Sequence, residues 1–131
     1  MLEINMTMSP RASVPKGNME AYERTSRTGL RCVENALVPV NKAPEDCKKI
    51  LDFRCGYGRV LRALRARFPE AHITACDLNE DATKFCAETF GATPVQGYSD
   101  LSKTILPHKY DAIWVGSVFT HSIPDPFFNE S

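Results

Sequence analysis

The sequence lacks any apolar run approaching the roughly 20 residues that a helix needs to cross a bilayer, so it offers no candidate membrane span. Its first stretch, Met1 to Lys16, contains Glu3, Arg11 and Pro15 and has no continuous apolar segment of the kind a secretion signal requires. Net charge is missing too. Sixteen Lys and Arg balance sixteen Asp and Glu, so no global field draws the chain towards nucleic acid or an anionic surface. Cys32, Cys47, Cys55, Cys76 and Cys86 are odd in number and form no C-x-x-C pair, which argues against a disulfide framework or a zinc site. Together these absences predict a cytoplasmic protein with reduced, packed cysteines, no metal and no membrane contact, whose partners are recognised locally.

What is present fits one globular domain: 131 residues, 43% hydrophobic and 24% charged. Residues 1–18 are rich in Met, Ser and Pro without evident periodicity and read as a loose, flexible arm, leaving 19–131 as the domain. From Glu20 to Val38, Leu30, Val33, Ala36 and Leu37 recur at helical spacing until Pro39 interrupts them. Lys49 to Phe53 reads as a buried strand that enters the stretch Cys55-Gly56-Tyr57-Gly58. A helix with Val60, Leu61, Leu64 and Phe68 on one face follows, with Arg59, Arg62, Arg65 and Arg67 placed on the solvated remainder rather than on an RNA-binding face. His72 to Asp77 is a second strand. Asn79 and Asp81 are candidate caps for a helix that Gly91 ends, Thr93 to Gln96 is a third strand, Leu101 to Ile105 a helical turn, and Tyr110 to Val115 a fourth strand. Strands alternating with helices imply an α/β fold built on a parallel, doubly wound sheet.

In such sheets ligands sit at the carboxyl ends of the strands, and the first strand-to-helix turn supplies the binding loop. Here that loop is Asp52 to Gly58. Asp77 ends the second strand 19 residues beyond Gly58, where a carboxylate can accept hydrogen bonds from both ribose hydroxyls of a nucleoside. A turn with two glycines is often only a turn, and an Asp after a strand is often only a cap. Their joint spacing favours a nucleoside site. A dinucleotide fingerprint starting at Gly56 would need glycine where Leu61 stands, so the NAD form is disfavoured.

The run Asp52-Phe53-Arg54-Cys55-Gly56-Tyr57-Gly58 resembles the acid-and-alternating-glycine motif of the class I S-adenosylmethionine (SAM)-dependent methyltransferases, with Asp52, Gly56 and Gly58 matching and Arg54 standing where the family carries its first glycine. The likeness continues through Ile73 to Asn79, Tyr98-Ser99-Asp100 and Tyr110 to Ser117, covering roughly residues 46–122. It implies a Rossmann-like domain and SAM as cofactor. Gly56 and Gly58 would face its methionine and ribose, Asp77 would hold the ribose hydroxyls, and Ser99 or Asp100 would lie near the adenine. A small-molecule acceptor is implied, with Tyr22 and Thr25 to Thr28 as a lid and His121 as a candidate base.

Two departures weigh on this expectation. Arg54 brings a long cationic side chain into a turn whose backbone should touch the ligand. The chain also stops soon after the fourth strand, where a full sheet of the family has seven. Such a truncation would leave the fourth strand as an apolar edge suited to self-association. The rival reading is therefore a catalytically inactive, truncated methyltransferase-like protein acting as a binding or regulatory module.

Overall fold

The structure, a computed structural model, describes residues 2–12, 19–106 and 109–115. Helix α1 (Met19–Leu37) is followed by a short 3-10 turn at Pro44–Asp46 and by strand β1 (Lys49–Phe53). Then come α2 (Leu61–Arg67), β2 (His72–Asp77), α3 (Glu80–Phe90), β3 (Thr93–Gln96), a second 3-10 turn at Leu101–Lys103, and β4 (Ala112–Val115). The four strands are parallel, in the order β3-β2-β1-β4. Strand order thus reverses between β1 and β4, and the switch point of this α/β, Rossmann-like sheet lies at the end of β1.

Strand alternation divides the core in two. Ile50, Ile73 and Ala75 meet Leu30, Val33 and Leu37 of α1, Leu61, Ala63 and Leu64 of α2, and Cys86 and Phe90 of α3. All three described helices therefore cover one face. Leu51, Phe53 and Cys76 point to the other face, where Val95, Leu106, Tyr110 and Val115 pack on them. The expected caps form as well: the Asn79 side chain accepts the Asp81 and Ala82 N–H groups at the start of α3, and Gly91 ends it with left-handed φ 67°.

Five expectations need correction. The helical turn after β3 is a single 3-10 turn, and β4 begins at Ala112 rather than Tyr110. The arginine row is not a solvated face. Arg62 is 1% exposed, and Arg65 is half-buried, closing the helix ends through Nε to the Phe90 carbonyl (2.8 Å) and Nη1 to the Ala71 carbonyl (2.7 Å). Guanidinium groups can satisfy several carbonyls at once, so helical spacing alone misassigned them to water. Cys32 is exposed, whereas the other four cysteines are buried. Finally, residues 2–12 are not a loose arm: Leu2 and Ile4 pack on the core, and exposure alternates from Leu2 to Met8 as in a half-buried extended segment.

β4 ends the strand order, and among the described residues nothing pairs with its outer edge, where Ile113 is 54% exposed. Its start is anchored by Asp111, which accepts Lys42 Nζ (2.7 Å) and the backbone N–H groups of Lys48 and Lys49 (2.9 Å each). The Lys42 hydrogen bond, reinforced by the two backbone donors, holds the Asp111 carboxyl down at about 2. A depressed folded-state value adds stability above the unfolded value of about 3.9 and loses it as pH falls towards the folded value. Asp111→Asn should therefore cost on the order of 1 kcal/mol at neutral pH and flatten the loss of stability between about pH 4 and 2. Urea melts of both proteins across that range check this; parallel curves would contradict it.

Candidate functional site

The switch point is built by the turn that leaves β1. The Arg54 and Cys55 N–H groups both donate to the Cys76 carbonyl (2.7 and 3.1 Å), and Gly58 N–H donates to the Cys55 carbonyl at 3.0 Å. Gly56 N–H donates to Asp77 Oδ2 at 2.9 Å, while Asp77 Oδ1 takes Asn79 N–H at 2.9 Å. The turn and the acid that the sequence spacing had paired are thus joined directly. Each Asp77 oxygen keeps a further lone pair for a ligand hydroxyl.

Gly56 and Gly58 serve different ends. A Cβ on Gly56 (φ 55°) would meet nothing within 4 Å, so the missing side chain leaves open space above the turn. A Cβ on Gly58 (φ 86°) would lie 2.8 Å from the Phe90 ring, so Gly58 lets α3 pack close. Gly97 is a third close approach that sequence reading missed. Its N–H donates to the Asp77 carbonyl at 2.9 Å, and a Cβ there would press on the Asp77 backbone at 3.2 Å. A glycine directly after a strand was the available signal.

Asp52 is 1% exposed, and neither carboxylate oxygen has a hydrogen-bond partner among the described residues. Burial, and next the neighbouring Asp77 charge, push its carboxyl well above the usual range. An orphaned carboxylate beneath an open turn is a position where a cationic or N–H-bearing ligand group would gain most. Cys55 and Cys86 both lie against the Gly56 carbonyl, at 3.2 and 3.5 Å. A hydrogen bond with Cys86, together with burial, pushes the Cys55 thiol upward, away from a nucleophilic role.

The remaining candidates are less concentrated. Ser99 and Asp100 are exposed after β3, and Asp100 Oδ1 is turned back onto Ser102 N–H (3.0 Å) and Oγ (2.7 Å), a capping arrangement. Leu78 and Tyr98, 53% and 46% exposed, stand at the ends of the adjacent strands β2 and β3 and present apolar surface there. Tyr22 and Ser26, read as part of a lid, are buried: Ser26 Oγ donates to the Arg59 carbonyl, and the Tyr22 ring lies under the Arg59 and Arg62 guanidinium groups. His121 lies outside the described residues. Among the described residues no cluster of His, Cys, Asp or Glu could hold a metal ion, and no helix is long and apolar enough to cross a membrane.

A sequence profile described as a methyltransferase domain matches residues 51–128, which span the turn, Asp77 and β4. The chain belongs to the methyltransferase-domain family. Trans-aconitate 2-methyltransferase of Streptomyces avermitilis is 31% identical over 91 residues, covering 70% of this chain and 34% of that protein. Malonyl-[acyl-carrier protein] O-methyltransferase of Acetivibrio thermocellus is 27% identical over 103 residues, covering 78% and 35%. This methyltransferase domain therefore spans about a third of the length of the curated relatives it matches. Among solved structures, the plantazolicin methyltransferase BpumL, in complex with a monoazolic desmethylPZN analog and SAH, superposes with TM-score 0.53 at 24% identity, over 73% of this chain and 36% of that one. Streptomyces venezuelae DesVI gives 0.51 at 22%, over 75% and 40%. These likenesses establish the class I, Rossmann-like methyltransferase fold.

Two stability predictions follow from the turn. Arg54 has φ 65°, a left-handed conformation that costs an L-residue on the order of 1 kcal/mol, so Arg54→Gly should stabilise the fold by about that amount in urea melts; an equal or lower stability would contradict the strain. For Asp52 the folded value is raised, so its stability is fully present below the unfolded value of about 3.9 and is lost as pH rises through the folded value. Asp52→Asn should therefore gain stability relative to the parent as pH rises from about 4 to 8. A pH-independent difference between the two proteins would show that the Asp52 carboxyl is not raised in the folded state.

Proposed function

We propose that this domain binds S-adenosylmethionine at the switch point, across the carboxyl ends of β1 and β2, and supplies the cofactor half of a SAM-dependent methyltransferase acting on a small-molecule acceptor. The observation that carries this reading is the coupled set of Asp77, Gly56 and Asp52: a carboxylate already joined to the turn, open space above a glycine, and an orphaned buried acid below it. The residues present suit the group. SAM carries a cationic sulfonium and ammonium, and an unpartnered carboxylate in low dielectric is the complement such charges need. Asp77 would take the ribose hydroxyls through its remaining lone pairs, and Leu78 and Tyr98 offer apolar surface for the adenine, with Ser99 and Asp100 at its rim.

SAM, when bound, supplies an electrophilic methyl group, and the chain contributes mainly orientation. Gly56 leaves room for the cofactor's backbone contact, Gly58 fixes α3 behind it, and the Asp77 bond to Gly56 N–H keeps turn and ribose site in register. The acidic acceptors named by the two curated relatives make a carboxylate-bearing small molecule the acceptor class to screen first.

Calorimetric titration of SAM and S-adenosylhomocysteine into the chain, with Asp77→Ala and Arg54→Gly alongside, tests the reading. Asp77→Ala removes two charge-assisted hydrogen bonds and should weaken binding by about tenfold or more. Binding that appears only after Arg54→Gly would mark Arg54 as an obstruction and the parent as an inactive relative. No binding in any folded variant would overturn the cofactor assignment.

A further inference from the structure

Beneath the glycine turn lies a buried cation that the cofactor reading does not use. The Arg62 guanidinium is held between two aromatic faces, its carbon 5.1 Å from the Tyr22 ring centroid and 4.8 Å from that of Phe90. Its N–H groups reach four backbone carbonyls on two separate segments. Nε donates to Gly58 O (2.9 Å) and Nη2 to Tyr57 O (3.1 Å), both in the turn. Nη1 donates to Asn5 O (3.1 Å) and Thr7 O (2.9 Å), both in the N-terminal segment.

That geometry is selective. In an extended chain the carbonyls of residues two apart point the same way, so Asn5 and Thr7 present a matched pair to one nitrogen. The intervening side chains then turn Leu2, Ile4, Met6 and Met8 towards the protein, as the alternating exposure records. Only a planar group with donors on three nitrogens can bridge this pair and the two turn carbonyls; an ammonium has three donors on one point. A second tie lies further along: Arg11 Nη1 meets Asp81 Oδ1 at 2.6 Å, and Asp81 Oδ2 accepts the Tyr57 hydroxyl at 2.8 Å. Tyr57 thus touches the N-terminal segment through both its carbonyl, by way of Arg62, and its side chain, by way of Asp81.

We propose that Arg62 is a positioning residue that latches residues 5–11 to the Tyr57–Gly58 turn, so that ordering of this N-terminal strap and shaping of the cofactor turn are one coupled event. The strap acts through the turn. Cofactor bound above the turn would then tighten the strap without touching it, and loosening the strap would weaken cofactor binding. This consequence rests on the SAM reading; the latch itself does not.

Amide hydrogen exchange on the full chain, read by peptide mass, separates the two. Arg62→Lys keeps the charge but loses the fork, and should speed exchange by about tenfold in both residues 2–12 and residues 55–58, with β1 and β2 amides unchanged. Arg11→Ala, at an exposed side chain, keeps the folded core and should speed exchange at the strap and at the turn together, more weakly. In the parent, saturating SAM should slow exchange in residues 2–12, and Arg62→Lys should abolish that response and weaken SAM binding by about tenfold. A uniform rise across the sheet in Arg62→Lys would reduce Arg62 to general structural support. Faster strap exchange with an unchanged turn, in Arg62→Lys or, should that variant not fold, in Arg11→Ala, would overturn the latch. A parent that shows the coupled exchange but binds no SAM would sink the cofactor reading and leave the latch standing.

Discussion

The molecule depends on a reversal of chain direction accomplished in five residues. Arg54, Gly56 and Gly58 all hold positive φ, at 65°, 55° and 86°, and only that alternation brings the chain off β1, past the end of β2 and into α2. The Cys76 carbonyl fixes the start of the turn by accepting two successive N–H groups, and the Asp77 carboxylate fixes its crest. Everything placed at the switch point inherits this geometry: the open space above Gly56, the contact of Gly58 with Phe90, and the two turn carbonyls that meet Arg62. Left-handed backbone is free for glycine and costs other residues. The Arg at the first of these positions is therefore held there by the turn's hydrogen bonds rather than by its own preference.

Two carboxylates one strand apart carry opposite environments. Asp77 is half-exposed, hydrogen-bonded on both oxygens, and useful to the fold as it stands. Asp52 is buried, without a hydrogen-bond partner among the described residues, and repelled by Asp77. A fold selected for stability alone would not retain such a group, since a neutral side chain of the same size would remove the penalty. Stability surrendered beside the switch-point turn is a cost that binding at the proposed cofactor site would offset. That contrast, more than the glycines themselves, distinguishes this turn from an ordinary strand-to-helix connection.

Strands β1, β2 and β3 and helix α3 were legible because their signals are local: apolar runs of strand length, an Asn cap, a glycine stop. The joining of Asp77 to Gly56 was legible as spacing. The division of labour between Gly56 and Gly58 was not, because it depends on where Phe90 arrives from the far end of α3. Arg62 was misread for a related reason. Its burial is decided by carbonyls of residues 5, 7, 57 and 58 and by rings from two other helices, none of which a helical periodicity can register. The strap itself had a readable signal in the alternation Leu2-Glu3-Ile4-Asn5-Met6-Thr7-Met8, obscured by the Ser- and Pro-bearing residues that follow.

Burying a guanidinium without a carboxylate partner is a poor way to add stability, because carbonyls and ring faces recover only part of its hydration. It is a good way to specify register. A one-residue slip of the strap would withdraw the Asn5 and Thr7 carbonyls from Arg62 and turn Leu2, Ile4, Met6 and Met8 to water in the same movement. An apolar residue at position 62 would permit many arrangements of the segment above it; the fork permits one. The buried cation thus does for the N-terminal strap what the positive φ angles do for the turn: each narrows a mobile stretch of backbone to a single geometry, and the two meet at the carbonyls of Tyr57 and Gly58.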